Sequence, residues 1–292
     1  MTTKSIPFTS EQLEQIIKKF PTPFHIYDES GMRKSCRELN HTFDWSPGFK
    51  EYYAVKALPN PSILALVHSE GFGVDCSSLA ELVLAERVGF KGNDIMFTAN
   101  DMPKEDMVKA LELGAIINLD DISHIEFIEE CDKMPDLLCF RYNPGAAREG
   151  NAIIGKPEEA KYGLTYDQMF EAYRIAKSKG VKHFGLHTMV ASNELNAQYF
   201  VDTARMVFEL VAKISNEVGI TFDFVNLGGG IGIPYKPDQS VVDLQHVGNG
   251  IKQMYQQYIL DAALPALKIA MECGRFITGP HGYLVSTVLH MK

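Results

Sequence analysis

The chain has 292 residues, 46% hydrophobic and 22% charged, with 28 Lys+Arg against 37 Asp+Glu for a net charge of −9. Those proportions exclude a disordered chain, a coiled coil, a collagen-like repeat and a disulfide-stapled miniprotein. The acidic balance argues against nucleic acid or an anionic membrane as partner, and the length suits two modest domains or one α/β barrel of ~250 residues.

TPFHIYD (22–28) reads as a short extended segment. Eight further apolar runs of strand length follow: EYYAVKA (51–57), GFGVDC (71–76), DIMFTA (94–99), AIINLD (115–120), LLCFRYN (137–143), HFGLHTMV (183–190), FDFVNLGG (222–229) and LKIAMECG (267–274). Amphipathic helices lie between them. In SSLAELVLAERVG (77–89), Leu79, Leu82 and Val83 fall at helical spacing, with Ser77 or Ser78 as cap and Gly89 as stop. MPKEDMVKALELG (102–114) has Pro103 in its first turn and Gly114 at its end, and 195–219 is a long helix of the same kind. Alternating strands and helices imply parallel strands with crossover helices. Eight such units favour a closed (β/α)8 TIM-type barrel over an open doubly wound sheet. The irregular stretch 143–163 follows the fifth barrel strand, on the side where a barrel keeps its chemistry.

Five cysteines without a CxxC pair read as reduced thiols in a cytoplasmic protein without structural zinc. The opening MTTKSIPFTSEQLEQIIKKF carries charges throughout and is no secretion signal, and no window of ~18 apolar residues spans a membrane.

Barrel chemistry belongs at the C-terminal strand ends. These supply Lys56, Asp75, Asn100, Asp120, Arg141, His187, Gly228 to Gly230, and Glu272 with Arg275. Lys56 has two readings. Desolvated in the barrel mouth, its amine becomes a nucleophile; lying along the wall, its ammonium pairs with a carboxylate such as Asp75. LGGGIG (227–232) is either an anion-binding turn or a tight barrel corner. Glu272 and Arg275 are either an ion pair closing the barrel or a carboxylate for a ring nitrogen beside a cation for phosphate or carboxylate. Arg141 alone fits a structural salt bridge, and His187 alone a satisfied core residue. No histidine spacing suggests a metal, and no GxSxG suggests a hydrolase.

Together YAVKA, GVDCSSLAEL, FRYNPG, KYGL, GLHTMVASN, LGGGIGIPY and ECGRFITGP resemble, in order and placement, the fold-type III pyridoxal-phosphate decarboxylases, nearest to the diaminopimelate decarboxylases. The resemblance covers essentially the whole chain. It implies an alanine racemase-like, cofactor-binding barrel in which Lys56 carries pyridoxal 5'-phosphate. Glu272 would face the pyridine nitrogen, and Asp75 the Lys56 ammonium and the ring, with His187 completing the catalytic set. Gly228, Gly229, Gly230, Ser192 and Gly274 would cradle the phosphate, and Arg141 would lie near the phenolic oxygen. Arg275 would bind phosphate or the substrate's distal carboxylate. Met189 stands where the family has a second histidine stacked on the ring, and a thioether also packs on an aromatic face.

The resemblance further implies a barrel at 31–285, preceded by a helix and strand at 1–30. Residues 286–292 would begin a C-terminal β domain that otherwise lies beyond this chain. In the family that domain completes a neighbouring subunit's site in a homodimer, so weak turnover is expected of this chain alone. The expected reaction is decarboxylation of meso-2,6-diaminopimelate to L-lysine. Alternatives are another basic amino acid (ornithine, arginine or a carboxylated polyamine), an amino acid racemase, or a non-catalytic cofactor-binding module. Lys161 joins Arg275 as a cation for a second substrate carboxylate, or is a solvated loop charge.

Overall fold

The computed structural model describes residues 6–147 and 156–292; Met1–Ser5 of the opening segment and positions 148–155 of the irregular stretch lie outside the described residues. Helix α1 (Ser10–Lys19) starts at a Thr9–Gln12 capping box and buries none of its residues. Strand β1 (Phe24–Tyr27) leads into α2 (Glu29–Thr42), whose Asp28 cap accepts from the Gly31 N–H at 3.1 Å.

The next eight strands form a closed parallel barrel. In chain order they alternate with helices: β2 (Lys50–Ala54), α3 (Pro61–Ser69), β3 (Gly73–Cys76), α4 (Leu79–Val88), β4 (Ile95–Thr98), α5 (Lys104–Glu112), β5 (Ile116–Leu119), α6 (His124–Cys131), β6 (Leu137–Tyr142), α7 (Tyr166–Ser178), β7 (His183–Thr188), α8 (Ala197–Ile214), β8 (Phe224–Asn226), α9 (Leu244–Tyr255) and β9 (Lys268–Met271). Pairing of Lys50 with Ala270 and Glu51 with Met271 closes the ring. A short α10 (Arg275–Thr278) leads to β10 (Gly282–Val285), which pairs antiparallel with β1 outside the barrel.

The strands are legible as apolar runs because both their faces are covered. All four residues of β3, β4 and β5 are buried. Tyr52, Met96, Ile116, Cys139, Phe224 and Ala270 fill the lower interior of the barrel. A second, larger core lies between strands and helices. There Tyr173 of α7 donates its buried hydroxyl to the Gly185 carbonyl at 2.6 Å. Gly185 must lack a side chain, because a Cβ there would stand 2.2 Å from the Phe224 ring.

Several local expectations shift by a residue or a turn. Ser78 caps α4 through the Glu81 N–H, and Gly89 ends it in the left-handed region at φ 110°. Pro103 is the residue before α5 rather than within its first turn. The long helix stops at Ile214 and continues as a wider π turn, Ser215–Gly219. All five cysteines are free, and four of them are buried. Among the described residues, no helix is long and apolar enough to cross a membrane.

Candidate functional site

The C-terminal mouth of the barrel holds a cavity of about 570 Å³, an ordinary size for a small-molecule site. Among the residues expected from sequence, Lys56, Asp75, Asn100, Arg141, His187, Met189 and Glu272 line it.

Lys56 is placed differently from the sequence expectation. Pairing of β2 with β3 ends at Ala54, and Lys56 sits on the short 3-10 turn that follows. Its side chain is 63% exposed, so it is not desolvated as expected; it reaches into the mouth from the rim. Its Nζ lies 3.9 Å from Asp75 Oδ2. The geometry keeps the carboxylate neighbour of the second reading and leaves the amine accessible, without the desolvation that the first reading required.

Two buried carboxylates below it are driven apart. Burial, then the charge of Glu272, push the Asp75 carboxyl well above its usual range, against a smaller opposing pull from Lys56. Burial also works to raise Glu272, but the neighbouring His187 imidazole, Lys56 and the Asn226 amide outweigh it and hold that carboxyl below its usual range. Asn226 Nδ2 donates to Glu272 Oε1 at 2.6 Å, and His187 Nε2 stands 3.2 Å from Oε2. That imidazole approach is close enough for an ion pair but outside hydrogen-bond geometry. His187 is fully buried, yet neither of its ring nitrogens is hydrogen-bonded, so it is not the satisfied core residue expected. Of the two readings of Glu272 and Arg275, the ion pair between them is not present among the described residues. Glu272 turns inward to His187, while Arg275, at the start of α10, donates to the Tyr235 hydroxyl.

Arg141 combines its two readings. It donates to Asp120 at 3.0 Å and Asn100 at 2.9 Å, and it also lines the cavity, with its Nε lacking a partner.

Gly228, Gly229, Gly230, Ser192 and Gly274 lie outside the cavity lining, on the loops after β7, β8 and β9, as does Arg275 at the start of α10. Gly228, Gly229 and Gly230 are packed against backbone, and Gly274 against the Ala57 and Ala54 side chains. A Cβ on Gly228 would stand 2.3 Å from the Thr188 carbonyl oxygen, and one on Gly230 would stand 2.4 Å from that of Ala191. The Gly228 N–H donates to Asn226 Oδ1 at 2.9 Å, and the Gly229 N–H to the Met189 sulfur at 3.2 Å. Ser192 belongs to the loop that Glu194 ties to Gly230 through its N–H. Lys161 is exposed.

Sequence reasoning missed several members. Tyr162 lines the cavity with its ring 4.1 Å from the Arg141 guanidinium carbon; its only signal was its place in KYGL. Ser77, Thr98 and Asp101 also line the cavity. Asn226 ends a strand just before the glycine run. Glu51, buried at the start of the barrel, accepts from the Cys273 N–H. Burial pushes its carboxyl up, and nothing in an apolar-strand pattern points to it.

The description "Pyridoxal-dependent decarboxylase, pyridoxal binding domain" matches residues 30–279. Protein TabA of Pseudomonas amygdali pv. tabaci is 39% identical over 280 residues, 95% of this chain and 64% of its own length. The diaminopimelate decarboxylase of Methanothermobacter thermautotrophicus is 28% identical over 281 residues, 95% of this chain and 65% of its own. The solved diaminopimelate decarboxylase from M. jannaschii, in co-complex with L-lysine, superposes with a TM-score of 0.87 at 26% identity, covering 95% of this chain and 66% of that one. The chain thus spans just under two thirds of the length of these relatives. A family match over most of the chain, on the expected barrel, places this protein among the pyridoxal-dependent decarboxylases through their pyridoxal binding domain.

Proposed function

We propose that the chain carries pyridoxal phosphate on Lys56, and that the protein removes one carboxylate of meso-2,6-diaminopimelate to give L-lysine. One observation carries the reading: an accessible lysine shares a cavity with two buried carboxyls pushed in opposite directions. The donor set fits the cofactor. Asp75 Oδ1, both ring nitrogens of His187 and Arg141 Nε are buried polar atoms without hydrogen-bond partners among the described residues, which a polar ligand would satisfy. The glycine turn after β8 meets the backbone of the loop after β7 so closely that no Cβ fits, with the Met189 sulfur beside it, and a turn without side chains of its own suits close approach of a phosphate.

When bound, pyridoxal phosphate supplies an electron sink for the pair released as the carboxylate leaves. The rest is the work of the chain. Asp75, with its carboxyl pushed up, would accept a proton from the Lys56 ammonium beside it. Glu272, held toward its ionised form, would favour a proton on the pyridine nitrogen of the bound cofactor. Asn226 holds one Glu272 oxygen, and the His187 imidazole stands beside the other. Arg141, locked by Asp120 and Asn100, presents a cation to an oxyanion at the wall. We assign Ser192, Gly228, Gly229, Gly230 and Gly274 to the phosphate, Met189 to the ring face, and Arg275 to phosphate or the substrate's second carboxylate. The substrate assignment is supported by the diaminopimelate decarboxylases among the relatives.

Borohydride reduction of the protein with pyridoxal phosphate should trap the cofactor on Lys56, as read by peptide mass spectrometry, and Lys56→Ala should abolish it. Carbon dioxide release should be fastest from meso-diaminopimelate in a panel with ornithine, arginine and lysine. Equal trapping in wild type and Lys56→Ala would overturn the assignment of Lys56, and a faster substrate elsewhere in the panel would overturn the substrate.

A further inference from the structure

We propose that the Tyr162 hydroxyl donates a hydrogen bond to a carboxylate of the bound amino acid, from the wall of the mouth opposite Lys56. This rests on the reading of the site given above and adds a substrate-contacting residue to it.

Tyr162 is held with care that its own packing does not require. The strand-like pairing of its segment with the end of β6 runs through Leu164, whose N–H donates to the Arg141 carbonyl at 2.8 Å and whose carbonyl accepts from the Asn143 N–H at 2.8 Å. Asn143 Nδ2 donates to the Tyr162 carbonyl at 2.9 Å. Gly163 then turns the chain at φ +82°, where a side chain would be strained and would crowd Asn143 at 3.0 Å. The ring is thereby laid on the Arg141 guanidinium at 4.1 Å, and Arg141 is itself fixed by Asp120 and Asn100. Phenylalanine would satisfy every one of these contacts. The hydroxyl remains over: among the described residues it makes no hydrogen bond, and its residue lines the cavity.

The barrel order sets the direction of approach. Strands β2 and β6 are four apart in either sense around the eight-stranded ring, hence diametrically opposed. Lys56 follows β2, and Tyr162 lies over Arg141 of β6. A ligand held by Lys56 therefore presents its far side to Tyr162. Burial raises the Tyr162 hydroxyl, with a partial offset from the cation beneath it, so it remains an O–H donor at neutral pH. The Arg141 guanidinium makes this wall favourable for an anion, and the anionic groups of an amino acid are its carboxylates. Of the three lining carboxylates, Asp75 and Glu272 belong to β3 and the end of β9, the two strands flanking β2, so they lie on the Lys56 side, while Asp101 follows β4.

Tyr162→Phe removes the hydroxyl and keeps the stacked ring. Cofactor affinity, trapping on Lys56 and melting temperature should stay within error of wild type. The dissociation constant of L-lysine, read from the cofactor absorbance, and the KM for the amino acid should each rise about tenfold, equivalent to ~1.4 kcal/mol. Tyr162→Ala should also free Arg141 and weaken cofactor binding. A Tyr162→Phe protein that binds L-lysine within twofold of wild type overturns the hydroxyl's role while leaving Lys56 and the proposed reaction intact. A wild-type protein that traps no cofactor on Lys56 overturns that broader reading, and the role of Tyr162 with it.

Discussion

Replacing Gly229 with alanine would set a methyl group against backbone. Its Cβ would stand 1.9 Å from the Glu272 carbonyl oxygen and 2.6 Å from the carbonyl carbon, where real Cβ atoms keep at least 3.0 Å. No flexible side chain can yield. The Glu272 segment is tied by its own N–H to the Gly228 carbonyl at 2.9 Å, and Leu227 donates to the Ala270 carbonyl at 2.9 Å. Opening the contact drags the Glu272 carboxylate from Asn226 and His187. Overpacking costs ~1–3 kcal/mol, and loosening a buried charge network adds to it, up to ~3–5 kcal/mol if a partner is lost outright. We expect about 3–5 kcal/mol in all, hence a melting temperature lower by ~6–20 °C at ~2–4 °C per kcal/mol. Gly71→Ala is the reference. It has φ +87° but nothing within 4 Å, so only left-handed backbone strain of ~1–2 kcal/mol applies. Thermal melts of both variants, with absorbance titration of pyridoxal phosphate, separate the cases. Gly229→Ala should melt well below Gly71→Ala and bind the cofactor weakly. Melting within 2 °C of Gly71→Ala would refute the close-approach argument.

Asp75→Asn should change how stability depends on pH. The Asp75 carboxyl is raised in the fold, so its stabilising contribution is complete below the unfolded value of ~3.9 and is lost as pH rises toward the folded value. The variant escapes that loss, so without cofactor it should out-melt wild type at pH 8, with the gap shrinking toward pH 4. A gap of equal size at both pH values contradicts this. His187→Phe should act in the opposite sense. Glu272 is depressed in the fold, so its contribution is present above ~4.3 and lost as pH falls through the folded value. Removing the imidazole should cost ~3 kcal/mol in urea unfolding at pH 7, less at pH 4; a pH-independent cost would mean that His187 matters by packing alone.

The barrel was legible because strands covered on both faces must be apolar, and helices covered on one face must be periodic. The strand-end rule then picked out Asp75, His187 and Glu272, since a charged or polar residue closing an apolar run needs a reason. What the chain hides is direction. Nothing in ECGR says that Glu272 turns inward to His187 while Arg275 goes to Tyr235. Nothing in YAVK says that the strand ends at Ala54, which leaves Lys56 two residues beyond it and exposed. The glycine run looked like an anion turn or a corner, and only the distances to Thr188, Ala191 and Glu272 reveal how closely backbone meets backbone. Tyr162 was passed over because a loop residue carries no periodicity, and its meaning comes from the Arg141 plane beneath it.

The pairing of β1 with β10 also has a consequence for synthesis. Seven of the eight barrel seams join strands that are consecutive in the chain, so each can close soon after its second strand leaves the ribosome. The β2–β9 seam and the β1–β10 ribbon cannot: Glu51 waits for Met271, and Phe24 waits for Val285. At ~5–20 residues per second, that is a wait of roughly 10–50 seconds. Throughout it, the early edges of β1 and β2 have unpaired backbone groups. Another nascent chain, carrying the same late strands, presents their complement. Crowded translation of this protein therefore favours exchange of β9 and β10 between neighbours, and slower initiation should favour the monomeric closure.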